Sequence, residues 1–381
     1  RSGTMVVPFM TIYCHEVLHF SKSDAGYIMG FFGAGSILGA LIGGKVTDKR
    51  GFYYVQIFAL LSGGVLFMLL GFQTTFWSVA VCSFILSVCN ESFRPANSAA
   101  IVHYSTDENK TRSNSLNRLA VNMGWIFGGM IGGLLAAINY HILFWVDGCT
   151  NILAALLLLK LIPASKVAKT IKSAINTSRD PAYKDRIYLM FISLAILFAT
   201  CFFQIFTMQP LFYKTQWHFN ESFIGLLMGI NGFLIVLFEM VIIHNLENKR
   251  HPLNYVYIGV LFVGLGFVLQ NFLPAAKYSA LIVLFFLTIG EILGMPFMNS
   301  FWIMRTKSGN RGSYAALYTT AWSIAQILAP VIGGAAIALA DFNLLWWITG
   351  GMCLCASVGF LMLYQHTAKQ SKVVPIEETV F

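Results

Sequence analysis

Four carboxylates stand inside long apolar runs of this chain: Glu91, Asp147, Glu239 and Glu291. Glu291 is the most isolated. It sits in Thr288-Ile289-Gly290-Glu291-Ile292-Leu293-Gly294-Met295-Pro296-Phe297-Met298-Asn299-Ser300, with no Lys or Arg within a helical turn. A lone carboxylate in hydrocarbon is costly to ionise, so the chemistry expected of Glu291 is to gain and lose a proton. The alternative is a Glu hydrogen-bonded in a helix interface for packing alone. The stretch Asn90-Glu91-Ser92-Phe93-Arg94-Pro95-Ala96-Asn97-Ser98, about 200 residues earlier, repeats the Glu, the Pro and the Asn-Ser pair. A repeat of that period points to two related halves, each bringing a carboxylate to the same place.

Arg94 is three residues from Glu91, on one helical face, and supplies it with a counter-charge. The pair reads as a gate or a substrate contact, with Glu91 also a proton-coupling candidate. Glu239, within Ile235-Val236-Leu237-Phe238-Glu239-Met240-Val241, is a second proton-carrier candidate, or a side chain that reaches water by snorkelling. Asp147 reads as a helix-packing residue. Arg1, Gln204, Gln209, Tyr213, Asn231, Asn299, Trp302, Tyr318 and Trp322 are the polar and aromatic residues expected to line a binding site beside Glu91 and Glu291. His15, His19 and His218 lack metal-ligand spacing, and the seven cysteines fall almost entirely in apolar runs as small filler. No phosphate-binding loop and no nucleophile–base constellation is present, so neither a metal, a cofactor nor an enzymatic activity is expected.

The elements that position these residues follow from composition. The chain has 381 residues, 57% hydrophobic and only 11% charged, whereas a soluble domain carries about a quarter charged residues. Apolar runs of membrane-spanning length recur throughout. Twelve spans are expected: a partial first one from Arg1 to about Cys14, then roughly 25–45, 54–72, 76–99, 115–138, 142–161, 187–211, 223–244, 254–272, 278–303, 313–339 and 344–364. The chain opens at Arg1 inside a helical run, so further residues upstream are expected. The division is a bundle over 1–162, a basic linker over 163–186, a second bundle over 187–364 and a tail over 365–381.

One set of alternating loops holds Lys45, Lys49 and Arg50, then Lys110 and Arg112, seven cations from Lys160 to Arg186, Lys249 and Arg250, Arg305, Lys307 and Arg311, and Lys369 and Lys372. The opposite loops hold only Lys22, Lys214 and Lys277. The first set is therefore expected in the cytoplasm, with the linker and the C-terminus inside the cytoplasmic cell membrane. The formal charge of +9 is dispersed over short loops, which does not suggest nucleic acid.

The halves repeat in parallel. His19-Phe20-Ser21-Lys22-Ser23-Asp24-Ala25-Gly26-Tyr27-Ile28-Met29-Gly30 aligns without gaps on His218-Phe219-Asn220-Glu221-Ser222-Phe223-Ile224-Gly225-Leu226-Leu227-Met228-Gly229, with six of twelve positions identical. Gly128-Gly129-Met130-Ile131-Gly132-Gly133 aligns on Ala329-Pro330-Val331-Ile332-Gly333-Gly334. Parallel repeats imply a pseudo-twofold axis along the membrane normal and a site between the halves near the midplane.

Gly44-Lys45-Val46-Thr47-Asp48-Lys49-Arg50-Gly51 resembles the motif that the major facilitator superfamily carries between its second and third helices. There the Asp pins the cytoplasmic gate by pairing with a cation or a helix N-terminus of the other half. The resemblance assigns Gly44 to close helix approach, Gly51 to a tight turn, and Asp48, Lys49 and Arg50 to the gate. The family commonly has a basic residue after the last Gly, where this chain has Phe52. Glu247-Asn248-Lys249-Arg250 is a weaker echo in the second half. Gly128, Gly132 and Gly133 are similar to the glycine-rich motif of the family's proton antiporters, with the usual Pro displaced to Pro330 of the eleventh helix. Phe93-Arg94-Pro95-Ala96-Asn97-Ser98 and Leu143-Phe144-Trp145-Val146-Asp147-Gly148 look like its drug:proton antiporter branch, though the Arg that branch carries earlier in helix four is absent. Gly290-Glu291 followed by Pro296, with Phe93-Arg94-Pro95, is also similar to proton-coupled oligopeptide transporters.

The resemblance implies an all-α membrane protein of two pseudo-symmetric six-helix bundles, with helices one, four, seven and ten lining a central cavity. The expected function is proton-coupled efflux of amphipathic small molecules by alternating access. The alternative is proton-driven uptake of small peptides or related nutrients. A non-transporting receptor or scaffold is a third class, which would not need buried acids in both halves. The expected partners are a small-molecule substrate, protons and the lipid bilayer, with one chain as the working unit.

Overall fold

The structure, a computed structural model, describes residues 5–105, 110–161, 182–246, 249–306 and 311–373. Arg1, most of the expected linker, Glu247-Asn248 and the end of the tail lie outside the described residues. The described chain is helical throughout, with no strand. The first half comprises α1 (Val6–Glu16), α2 (Lys22–Arg50), α3 (Phe52–Leu70), α4 (Phe76–Glu91), α5 (Phe93–Tyr104), α6 (Lys110–Ile138) and α7 (Tyr140–Leu161). The second comprises α8 (Arg186–Thr207), α9 (Gln209–Thr215), α10 (Glu221–Leu246), α11 (Pro252–Leu269), α12 (Lys277–Met304), α13 (Arg311–Leu339) and α14 (Phe342–Val373). Among the described residues eleven segments are long and apolar enough to cross a bilayer, α4 with α5 and α8 with α9 each counting as one. With the shorter α1 they make two bundles of six spans.

The expected fourth and seventh spans were continuous; each is broken. Pro95 has no N–H for the carbonyl of Glu91, four residues back, and its ring crowds that carbonyl, so the helix breaks at Ser92. Pro210 stands in the same relation to Phe206, and the break falls at Met208. Pro296 and Pro330 are absorbed inside α12 and α13.

The aligned repeat is a repeat of backbone as well. The Val17 and Leu18 amides donate to Tyr13 O and the Phe20 amide to Cys14 O, while Gln216 and Trp217 donate to Phe212 O and Phe219 to Tyr213 O. His19 and His218, between them, both take the left-handed conformation at φ 58° and 54°. Ser21 Oγ then accepts the Asp24 amide, and Asn220 Oδ1 accepts the Phe223 amide, capping α2 and α10 alike.

The loops opposite the linker define one face of the bundle, here the far face, and there the halves meet backbone to backbone. A Cβ added at Gly133 of α6 would lie 2.5 Å from Glu221 O and 2.7 Å from Gly225 Cα of α10. One added at Gly26 of α2 would lie 2.6 Å from Pro330 O and 3.0 Å from Gly334 Cα of α13. Thr11 Oγ1 of α1 donates to Thr207 O of α8 at 2.8 Å. Tyr140 at the start of α7 donates to Glu221 Oε1 at 2.6 Å, and Lys214 Nζ pairs with the same oxygen at 2.8 Å. Lys22 Nζ of the first half sits 5.1 Å from the centre of the Phe342 ring of the second.

The linker side is held differently. Asp185 caps α8 through the Tyr188 amide, receives Arg305 Nε and Nη2 at 2.8–2.9 Å, and accepts Tyr314 Oη at 2.9 Å. Tyr188, Arg305 and Tyr314 belong to the second half and Asp185 is the cap of its first helix, so the cluster braces that bundle. Asp48, Lys49 and Arg50 are exposed, and Asp48 makes no hydrogen bond or ion pair among the described residues. The pairing expected of Asp48 is therefore not made with any described residue, in a conformation whose halves are closed on the far face. Gly51, at φ 87°, joins α2 to α3 in a conformation that favours glycine. Gly44 does not mediate close approach; a Cβ there would lie 4.0 Å from Pro95 Cβ, whereas one at Gly43 would lie 2.5 Å from Ser92 Cα.

Two outcomes follow. Burial alone would raise the Asp185 carboxyl, but the Tyr188 amide, Arg305 and Tyr314 together hold it below the ordinary carboxylate value. A depressed folded value contributes stability that is complete above the unfolded value, near pH 4, and is lost as pH falls through the folded one. Asp185→Asn should remove about 1–3 kcal/mol from the second bundle and abolish that acid-side loss, as read by thermal unfolding between pH 3 and pH 7. Gly133→Val should force the far-face crossing apart at a cost of about 1–3 kcal/mol. Spin labels at Thr74 and Ala275, on far-face loops of the two halves, should then report a longer mean separation; an unchanged distance would contradict this account of the closure.

Candidate functional site

Between the halves lies a cavity of about 810 Å³. It runs from mid-membrane toward the linker side, bounded at its far end by Met29, Gly129, Met228 and Gln326. The first, fourth, seventh and tenth spans line it as expected. The second, fifth, eighth and eleventh do so too, through Phe32 of α2, Trp125 of α6, Asn231 and Glu239 of α10, and Trp322 of α13. Among the lining residues none comes from α3, α7, α11 or α14.

All three proton-coupling candidates reach this cavity. Glu91 is buried at the α4–α5 break, with Arg94 Nη2 3.3 Å from its Oε2. The break lets the fourth span turn this pair inward, and half of the Arg94 side chain remains exposed to the chamber. Glu239 lines the cavity from α10 and is half-buried, so it faces the chamber rather than lipid headgroups. Glu291 lines it from the middle of α12, and its Oε2 is buried without a hydrogen-bond partner. Asn231 of α10 and Thr288 one turn away are its polar neighbours, Thr288 Oγ1 accepting Asn231 Nδ2 at 3.0 Å. A buried carboxylate oxygen with no donor is tolerated more cheaply when the acid is neutral than when it is charged.

The wall is aromatic. Phe202, Phe203 and Phe206 form one edge of α8, and Trp322 stands edge-on to Phe202 and Phe203 at 5.9 Å. Trp125, from the first half, lies 5.1 Å from Phe206, so the aromatic surface crosses between bundles. Tyr318 lies 6.1 Å from Trp322. Among the described residues the lining thus holds three carboxylates and one cation, the latter already paired.

Of the expected substrate-binding residues, Asn231, Asn299, Tyr318 and Trp322 line the cavity. Three do not. Gln204 is 1% exposed and donates to Ala329 O at 2.7 Å, tying α8 to α13 beside Pro330. Trp302 turns away, its Nε1 donating to Asn299 Oδ1 at 3.1 Å. Tyr213 lies on a separate small chamber, accepting Gln209 Nε2 at 3.0 Å. Arg1 lies outside the described residues. Asp147 is a packing residue: it is buried and accepts the Val6 amide at 2.9 Å, fixing α7 to the start of α1. Gly128, Gly132 and Gly133 are buried, with Gly132 against Met5 of the α1 end and Gly133 against α10. Sequence reasoning missed Trp125 and the Phe202-Phe203-Phe206 edge, whose spacing of three and four residues on one helix was the available signal. It also missed Glu221, which appeared only as a member of the aligned repeat.

Comparison with known proteins agrees with this architecture. Residues 2–330 match the Major Facilitator Superfamily. The chain is 21% identical over 376 residues to "Multidrug resistance protein 2" of Bacillus subtilis, covering 95% of this chain and 91% of that one. It is 22% identical over 360 residues to a "Na(+), Li(+), K(+)/H(+) antiporter" of Planococcus maritimus, covering 86% and 84%. The fold superposes on the POT family transporter PepTSo with a TM-score of 0.77 at 13% identity, over 96% of this chain and 95% of that one. With two six-span bundles around a central chamber and a match over most of its length, this chain belongs to the major facilitator superfamily: it is a multi-pass membrane transporter of small molecules, not an enzyme.

Proposed function

We propose that this protein exports amphipathic small molecules, cationic ones above all, in exchange for protons. The observation that carries the reading is the charge balance of the central cavity. Among the described residues, Glu91, Glu239 and Glu291 face it together with a single cation, Arg94, which Glu91 already neutralises at 3.3 Å. A flat apolar cation is offered an aromatic wall and a carboxylate, both of which favour it in a chamber of low dielectric. A zwitterionic peptide would need a second fixed charge for its carboxylate, and the described lining residues provide no unpaired one of that sign.

Glu291 is the proton carrier in this reading. A cation and a proton compete for the same carboxylate: protonation discharges the substrate, and loss of the proton prepares the site for the next. Glu239 is a second acid on the facing helix that can share the task, and Glu91–Arg94 acts as a gate at the α4–α5 break. Gln204, Trp302 and Tyr213 are not substrate contacts in this state. The two bundles, 1–162 and 187–364, rock about the site, with the linker 163–186 joining them. One chain contains the whole cavity, so a monomer suffices. The excess of Lys and Arg on the linker side supports placing that face and the C-terminus in the cytoplasm, in the cytoplasmic membrane. The described conformation is then open to the cytoplasm, ready to load substrate. Closure of that face would bring Asp48, Lys49 and Arg50 against the other half.

Proteoliposomes with an imposed pH gradient test this. Wild-type protein should drive ethidium against its concentration gradient while protons move the opposite way, and alanyl-alanine should not move. Glu291→Gln should lower the proton-driven rate at least tenfold. Undiminished drive in that variant would remove Glu291 from its role, and co-directional movement of protons with alanyl-alanine would replace export by peptide uptake.

A further inference from the structure

A second, smaller chamber lies beside the central cavity inside the second half. It offers about 30 Å³ of room for water centres and is lined by Gln209, Tyr213, Phe206, Met228, Asn231 and Leu284 among others. Phe206, Met228 and Asn231 line both chambers, so these three side chains form the partition. Roughly 10–15 Å³ is enough for one water in a polar site, so this one takes about two. It has the polar groups such waters need: Gln209 is 4% exposed and bonded only through Nε2 to Tyr213 Oη, and Asn231 stands at the opposite wall.

The position of this chamber has a direction. At its inner end Asn231 Nδ2 bonds Thr288 Oγ1, one helical turn from the unpartnered Glu291 Oε2. At its outer end Tyr213 is followed by Lys214, whose partner Glu221 is tied across the far face to Tyr140. The Tyr213 ring is stacked on Trp217 at 5.2 Å and lies 5.9 Å from Phe219, which closes the outer end in the present conformation. A passage open here while the central cavity is open to the linker side would leak protons; an aromatic plug prevents that. Parting of the halves at the far face must break Tyr140–Glu221, the contact that ties the first half to the carboxylate held by Lys214 of the short helix α9, which carries Gln209 and Tyr213.

We propose that this chamber holds water and is the passage by which Glu291 receives its proton from the far face. The inference rests on the reading of Glu291 as the proton carrier. The proton hops through the chamber waters past Asn231 and ends on the Glu291 carboxylate. Gln209 and Tyr213 donate and accept hydrogen bonds to those waters and are unchanged by the transfer; they are positioning residues. Glu239 faces the central cavity from the same helix as Asn231 and is the other titratable group near the endpoint.

Hydroxyl-radical footprinting of the purified full chain tests the water directly. Tyr213, 5% exposed, should be oxidised at least fivefold faster than Tyr188, which is 0% exposed and borders neither chamber, and Gln209→Leu should slow Tyr213 oxidation toward the Tyr188 rate. Tyr213 oxidised no faster than Tyr188 means a dry chamber and overturns the proposal. In proteoliposomes, Tyr213→Phe and Gln209→Leu should each slow pH-gradient-driven movement of ethidium, or of alanyl-alanine if that is what the wild type moves, about tenfold. Exchange of the same compound at equal pH should fall less than twofold. Equal loss of both rates, or loss of neither, overturns the route. If Glu291→Gln keeps full proton drive, the assignment of Glu291 fails instead, a result independent of whether Tyr213 is wet.

Discussion

The structure depends on two places where helix backbones touch at the far face. Gly133 against Gly225 joins α6 to α10, and Gly26 against Pro330 and Gly334 joins α2 to α13. Apolar burial gives little drive for association between helices surrounded by lipid tails, so close van der Waals contact between small residues is what holds such helices together. These contacts run from the far face only to about mid-membrane, ending near Ser36–Gln326 and Ile126–Gly232. Beyond that depth the halves diverge. The central cavity is the space left by that divergence, and its side of opening is set by which end of the seam is packed.

Charge then follows geometry. A bilayer tolerates ionisable groups where they face water or one another, and the cavity supplies the first condition while the far-face clasp supplies the second. Glu91 with Arg94, Glu239 and Glu291 lie on the cavity, and Lys214 with Glu221 lies at its sealed end. Asp185 with Arg305 is a third group, on the linker side, and it braces one bundle internally. A transporter that rocks needs such a division: ties across the halves must be breakable, whereas ties within a half must survive the movement. Arg305 meets Asp185 through two nitrogens, a stronger arrangement than the single contact between Tyr140 and Glu221.

The sequence made legible what depends on residue type within an apolar run. Glu291 and the Glu91–Arg94 pair were identifiable because an acid among Leu, Ile and Phe has few structural uses, and the bundle count followed from hydropathy and loop charge. What was not legible depends on the rotation of a helix about its own axis. Gln204 and Trp302 lie on the right spans but point the wrong way, and a single sequence carries no marker of that angle. Gly44 was assigned the close approach that its neighbour Gly43 makes, a one-residue error that turns the contact about 100° around the helix. The breaks at Ser92 and Met208 could have been anticipated from Pro95 and Pro210. Pro296 and Pro330, however, leave their helices unbroken, so a proline alone does not decide.

The repeat puts one arrangement to work in two unlike halves. Lys22 and Glu221 occupy the same place in it, each in the first turn of a capped helix. Each reaches across to the first residue of the last span of the opposite half: Lys22 to the Phe342 ring, Glu221 to the Tyr140 hydroxyl. The clasp is thus conserved in position between the halves but opposite in charge, and its two arms differ in kind. A cation over a ring has no preferred direction within the ring plane, whereas a hydroxyl on a carboxylate does. Sliding of the halves strains the Glu221 arm first. That arm is the one joined through Lys214 to α9, in the half whose central acid, Glu291, has a buried Oε2 without a partner. The two halves thus differ at the cavity as well: the first presents the paired Glu91–Arg94, the second Glu291 with its bare Oε2.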